Sequence, residues 1–154
     1  TINLNTALKL RDELESLGAK VLMTRTADVA ISLEERLAAS RKAKPDLFLS
    51  IHANSMADNV DISKIYGFSV YYKEALAKPF SQKLLDNAVK IGRVNKGVRW
   101  ANFYVTRGTW APSVLIENGF VPNPHEFELL IDNSEQVRLA KTLADAIVQY
   151  FRNN

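Results

Sequence analysis

The chain has 154 residues, 47% hydrophobic and 24% charged, which is enough for one packed domain of ordinary size and too little for two. It contains no cysteine, so disulfides, thiolate metal ligands and a cysteine nucleophile are excluded, and imidazole and carboxylate remain for any metal chemistry. A net charge of +3 is too small to name a polyanionic partner, and no apolar run approaches the ~18 to 20 residues that span a bilayer.

In chain order, Leu4, Ala7, Leu8, Leu14 and Leu17 recur at helical spacing, and Gly18 supplies a left-handed stop. Thr1 to Leu10 therefore reads as the start of an amphipathic helix and not as an export signal. Lys20 to Thr24 (KVLMT) is expected to be a short buried strand. Ser32, three residues before Glu35, has capping-box spacing and opens a helix to about Lys44, where Pro45 prevents continuation. Leu47 to His52 is the next strand, so the segment reads as a βαβ unit with parallel strands.

Polar Asn54 to Lys64 is a loop, and Gly67 to Tyr72 (GFSVYY), rich in β-branched and aromatic residues, is a strand. Pro79, Phe80, Leu84, Leu85, Ala88 and Ile91 define a third helix ending near Gly92. Val98 to Thr106 is expected to be extended, and Ser113 to Glu117 (SVLIE) is an apolar strand between Pro112 and Gly119. Asn123, Pro124 and Glu126 are placed as cap, first residue and capping glutamate of a short helix. Ser134 starts a last helix with Val137, Ala140, Ala144, Ile147, Val148 and Phe151 on one side. The expected fold is a single α/β domain, a mostly parallel or mixed twisted sheet with helices on both faces.

Two apolar strands end in groups that a core would not select. Leu47 to Ile51 runs into His52, and Ser113 to Ile116 runs into Glu117. Carboxyl ends of parallel strands line the ligand crevice of α/β sheets, so the two share one edge if both strands point the same way. Metal ligand, proton carrier and hydrogen-bonded structural residue are all open to His52, and Glu117 beside Asn118 and Gly119 is also placed to cap a turn. The pair at equivalent strand ends favours function over packing.

Competing chemistries lack their signatures. Ser50 precedes His52, but no Gly-x-Ser-x-Gly elbow exists, and residues two apart on a strand share a face without the geometry for attack. The six glycines form no phosphate loop, and seventeen acidic residues make a glycosidase pair easy to imagine and impossible to assign. Lys90, Arg93, Lys96, Arg99 and Arg107 with Trp100, Phe103 and Tyr104 resemble a nucleic-acid-binding mixture, yet a basic helix end followed by a half-buried strand accounts for them. No nucleic-acid partner is expected. Metal-assisted hydrolysis is the chemistry left, with a glutamate moving the proton to the leaving amine.

The segments Gly18 to Arg25, Pro45 to Asn54 with Ser50-Ile51-His52-Ala53-Asn54, Gly67 to Tyr72, Gly97 to Arg107, and Pro112 to Phe120 followed by Asn123 and Glu126 carry a family resemblance through their order and spacing. The chain resembles the zinc-dependent N-acetylmuramoyl-L-alanine amidases, bacterial enzymes that cut the amide bond between N-acetylmuramic acid and L-alanine in peptidoglycan. The resemblance covers nearly the whole chain. It implies that His52 is a zinc ligand and Glu117 the catalytic acid/base, with no organic cofactor. It also implies a domain over residues 1–154 that is N-terminally incomplete, because the family opens with a strand, a Gly-His-Gly-Gly segment and a glutamate. The other two ligands of one zinc ion, a histidine and a glutamate, are therefore expected upstream of Thr1.

Asn54 and Arg107 fall on positions typical of the family, open either to a polar role near the substrate or to a turn-forming asparagine and a surface arginine, and His125 is expected to be an exposed polar residue. The implied setting is the cell wall, in the periplasm or outside the cell, with peptidoglycan as partner, no membrane span and a monomeric state. The implied roles are those of an autolysin: remodelling, cell separation or lysis. Members that have lost ligands offer the alternative of an inactive domain that binds peptidoglycan or a partner. The short Asn54 to Lys64 loop leaves little room for a covering helix, so an open groove suited to a polymer is expected.

Overall fold

The computed structural model describes residues 1–55 and 61–152. The elements in order are α1 (Ile2–Ser16), α2 (Leu33–Ala43), β1 (Phe48–Asn54), β2 (Phe68–Tyr72), α3 (Lys78–Lys90), β3 (Asn95–Trp100), β4 (Ser113–Phe120), α4 (Pro124–Ile131) and α5 (Asn133–Arg152), with 3-10 turns at Ile62–Lys64, Ala75–Ala77 and Tyr104–Thr106. The strands form one mixed sheet in the order β1-β4-β2-β3. β1 and β4 are parallel, β4 and β2 antiparallel, and β2 and β3 parallel. The α/β expectation with a mixed sheet is borne out.

Alternation along the strands sorts the two faces of this sheet. Val114 and Ile116 of β4 stand opposite Leu49 and Ile51 of β1 and Tyr72 and Val70 of β2. This face packs on Leu10 of α1, Phe80, Leu84 and Ala88 of α3, and Leu139, Ala140, Leu143 and Ile147 of α5. The other face carries Leu115 and Glu117 with Ser50, His52, Ser69 and Tyr71 in register. The polar residues of the strands are thus collected on one side, under α2 and the Tyr104–Thr106 turn.

Local signals explain most element ends. Ser32 accepts from Glu35 N at 3.1 Å while the Glu35 carboxylate accepts from Ser32 N at 2.8 Å, a complete capping box, and Lys44 closes α2 with φ 48°. The Asn123 side chain caps α4. Glu126 does something else than the expected reciprocal cap. Its carboxylate crosses to Gly67 N and Phe120 N, both at 2.8 Å, and ties the start of β2 to the end of β4. At Gly67 (φ +121°) a Cβ would lie 2.7 Å from the Val94 carbonyl oxygen, so only glycine lets β2 and β3 approach there.

Several expectations are corrected. Lys20–Thr24 is not a strand: no described strand runs beside it to complete a ladder, and Leu22 is 66% exposed. The βαβ unit fails with it, and the parallel neighbour of β1 is β4. Extended structure spans Asn95–Trp100 and not Val98 to Thr106, because the Thr106 hydroxyl bonds the Ala101 and Phe103 carbonyls and stabilises a turn instead. β4 continues through Gly119 to Phe120. Finally, the buried face of α5 centres on Leu139 and Leu143, while Phe151 is 48% exposed, as is the C-terminal Leu17 of the α1 pattern at 60%. The Asn54 to Lys64 loop contains the 3-10 turn at Ile62–Lys64, and its residues 56–60 lie outside the described residues.

Candidate functional site

His52 and Glu117 are direct partners in the parallel β1–β4 register, so both side chains leave the same face at the same level, on strands ~4.8 Å apart. Beyond them the register slips between His52 and Asn54. The bulge places one extra residue on β4 between Glu117 and Phe120, which pairs with Asn54, a common device beside functional groups. Gly119 sits in the bulge, where a Cβ would come 3.2 Å from the Glu126 carboxylate.

The pair floors a hollow of about 220 Å³ whose walls are Leu33 at the start of α2, Leu115, and Phe103, Tyr104 and Val105 of the 3-10 turn. Tyr71, on the same sheet face, meets Phe103 edge to face at 5.2 Å and props that wall. Apolar walls around two ionisable groups have direct consequences. Burial raises the Glu117 carboxyl from 4.5 to about 7, and its Oε2 is buried with no hydrogen-bond partner among the described residues. Burial, with the nearby Arg36 guanidinium second, lowers the His52 imidazole. Arg36 is itself held by the Ile31 carbonyl and the Thr24 hydroxyl at 3.2 and 3.3 Å.

The imidazole is therefore neutral at neutral pH, the form that can donate a lone pair to a metal or accept a proton. Its Nε2 lies 3.1 Å from the Ser50 hydroxyl, two residues back on the same face. Ser50 and His52 share that face as their spacing requires, and among the described residues no carboxylate is hydrogen-bonded to the imidazole. Among the described residues no three His, Cys, Asp or Glu side chains cluster closely enough to hold a metal ion.

The remaining candidates lie apart from this floor. His125 is exposed at the start of α4. Asn54 is half-buried at the end of β1, where its carbonyl accepts from Val121 N at 2.9 Å. Arg107 is exposed, bonded to Asn102 and stacked over Tyr104 at 4.9 Å. The walls Leu33, Phe103 and Tyr104 escaped sequence reasoning, since no pattern marks which turn residues will fold over a sheet face. Glu126 carried a readable signal, a glutamate after Asn-Pro, but the two distant N–H groups it satisfies are not local.

A neutral imidazole beside a carboxyl raised to about 7, in an apolar hollow at one edge of a mixed α/β sheet, can chemically take up and release a proton near neutral pH. Its relatives agree on the class. The sequence profile described as N-acetylmuramoyl-L-alanine amidase matches residues 1–149, and the chain belongs to that family. It is 32% identical over 156 residues to the N-acetylmuramoyl-L-alanine amidase LytC of Bacillus subtilis, covering 98% of this chain and 31% of LytC. It is 33% identical to the probable cell wall amidase LytH of Staphylococcus saprophyticus, covering 96% and 48%. The chain thus spans about a third to a half of the length of these relatives. Among solved structures it superposes on the catalytic domain of the amidase CwlV from Bacillus (Paenibacillus) polymyxa with a TM-score of 0.90, 33% identity and coverage of 98% of this chain and 83% of that one. The amidase AmiC2 of Nostoc punctiforme gives 0.91 at 27% identity, covering 98% and 83%.

Proposed function

We propose that this chain is the larger part of the catalytic domain of a zinc-dependent N-acetylmuramoyl-L-alanine amidase, which hydrolyses the amide between N-acetylmuramic acid and L-alanine in peptidoglycan. The observation that carries the reading is the in-register pair of His52 and Glu117 on the floor of one apolar hollow, with the Glu117 carboxyl raised to about 7. Family membership supplies the substrate class. The setting is the cell wall, in the periplasm or outside the cell, where a monomer would serve remodelling, separation or lysis.

The residues present fit one corner of a zinc site. His52 is neutral and half-buried, with Ser50 beside its Nε2, while a catalytic zinc takes about three protein ligands. The reading assigns the other two to a histidine in a segment that follows an upstream strand and to a glutamate just before α1. Zinc, when bound, supplies a Lewis acid that polarises the scissile carbonyl. Glu117 does the proton work: as carboxylate it takes a proton from the attacking water, and as carboxylic acid it gives that proton to the amine nitrogen as the C–N bond breaks. A carboxyl titrating near 7 is matched to both halves of that cycle. Leu33, Leu115 and Val105 give it apolar surroundings.

The test is the protein with its upstream residues, assayed for zinc content and for release of stem peptide from peptidoglycan. Glu117→Ala should abolish cleavage with about one zinc retained, as expected for an acid/base that is not a ligand. Binding of peptidoglycan fragments without zinc or cleavage would instead identify a non-catalytic wall-binding domain.

A further inference from the structure

The surface groove does not end at the hollow over His52 and Glu117. Across Tyr104, which walls both, lies a second hollow of about 140 Å³ lined by Glu34, Leu37, Ala38 and Arg41 of α2. These four residues are spaced i, i+3, i+4, i+7, so one face of the helix over two turns forms the lining. Its two ends carry opposite charges and its middle is apolar. Seven residues of helix set the Cα atoms of Glu34 and Arg41 ~10.5 Å apart, too far for the pair to close on itself. Among the described residues neither side chain forms an ion pair.

Arg41 is positioned. Its guanidinium stacks on the Trp110 ring at 5.1 Å, and Trp110 is pinned by its Nε1 donating to the buried Ser40 hydroxyl at 3.1 Å. A guanidinium held by its face presents its edge N–H groups to a carboxylate, the geometry that bidentate recognition uses. By volume the hollow accommodates about one amino-acid side chain with its charged end, taking ~30 Å³ per water-sized unit. One aromatic ring separates it from the floor of the first hollow. Tyr104 lines both hollows, so they adjoin along one surface.

We propose that this second hollow binds the peptide side of the substrate as a zwitterion, with a carboxylate on Arg41 and the ammonium of a diamino acid on Glu34. The inference rests on the amidase reading for which substrate arrives, and it adds the part of that substrate which is selected. A stem peptide whose third residue is a diamino acid with a free carboxyl satisfies both ends, and its side-chain methylenes cover Leu37 and Ala38.

The experiment is a calorimetric or NMR titration of this chain with the free tripeptide L-alanyl-γ-D-glutamyl-L-lysine, beside its norleucine analogue and its C-terminal amide. Each neutralised peptide should bind about tenfold more weakly. R41Q should erase the difference between acid and amide, and E34Q that between lysine and norleucine. Both positions are exposed, and unchanged circular dichroism verifies that the variants fold. Failure of the tripeptide to bind, or equal weakening of all three peptides by R41Q, overturns the proposal. Cleavage assays on the protein with its upstream residues separate the two readings. Tripeptide binding with no cleavage defeats the amidase reading alone, and cleavage indifferent to both variants and both charges defeats the subsite alone.

Discussion

Replacing Glu117 by glutamine should stabilise the metal-free protein at alkaline pH and leave it unchanged in acid. The carboxyl is raised from 4.5 to about 7 by burial alone, so between these values the folded state holds a proton that the unfolded state has lost. Native stability therefore falls as pH rises through this window, with no penalty below 4.5 and the full penalty above 7. The rise from 4.5 to about 7, at ~1.36 kcal/mol for each tenfold change in proton affinity, corresponds to about 3.4 kcal/mol, and solvent reaching the mouth of the hollow reduces this to about 1–2 kcal/mol. Glutamine stays neutral throughout and escapes the penalty. Thermal or urea unfolding in EDTA should show E117Q melting about 3–6 °C above the parent at pH 8, and within about a degree of it at pH 5. An equal or lower melting temperature at pH 8 would refute the view that burial governs this carboxyl.

Removing the Glu126 carboxylate should cost more than any surface change. E126A strands Gly67 N and Phe120 N, each bonded at 2.8 Å, and chemical denaturation should register a loss of about 3 kcal/mol, with E126Q losing about half. S32A breaks the capping box of α2 and should cost about 1 kcal/mol in the same assay. G67A forces a Cβ to 2.7 Å from the Val94 carbonyl and 2.8 Å from Lys96 Cγ at φ +121°, and should destabilise by about 2 kcal/mol or more. In the protein with its upstream residues, H52A should lower zinc affinity at least tenfold, read by competition with a chelator.

The parts of this fold legible in the sequence are those whose cause is local. The capping box at Ser32, the cap at Asn123 and the apolar runs into His52 and Glu117 each depend on residues within a few positions. That these two strand ends share one edge is conditional on a common strand direction, and the parallel β1–β4 register meets that condition. What failed depends either on neighbours distant in sequence or on a local side-chain bond that competes with the extended backbone. Lys20–Thr24 has strand composition without a described strand to pair with, and Val98 to Thr106 has aromatic β character overruled by the Thr106 hydroxyl. On α5, Ala140, Ala144 and Ile147 are buried as expected, but the buried face is rotated by about a quarter turn towards Leu139 and Leu143 and away from Phe151, in a helix apolar over much of its circumference. The hollow itself was illegible, since Tyr104 and Phe103 reach it only when their turn folds onto the polar face of the sheet.

The central claim, that Glu117 and His52 belong to an amide-cleaving site, is tested most directly by mass spectrometry of the products from a purified muropeptide. The substrate is incubated with the zinc-loaded protein carrying its upstream residues. The account predicts a free stem peptide beginning at L-alanine and an intact glycan gaining one water across that single amide, with no product from E117Q. Cleavage at another bond, or undiminished cleavage by E117Q, would contradict it.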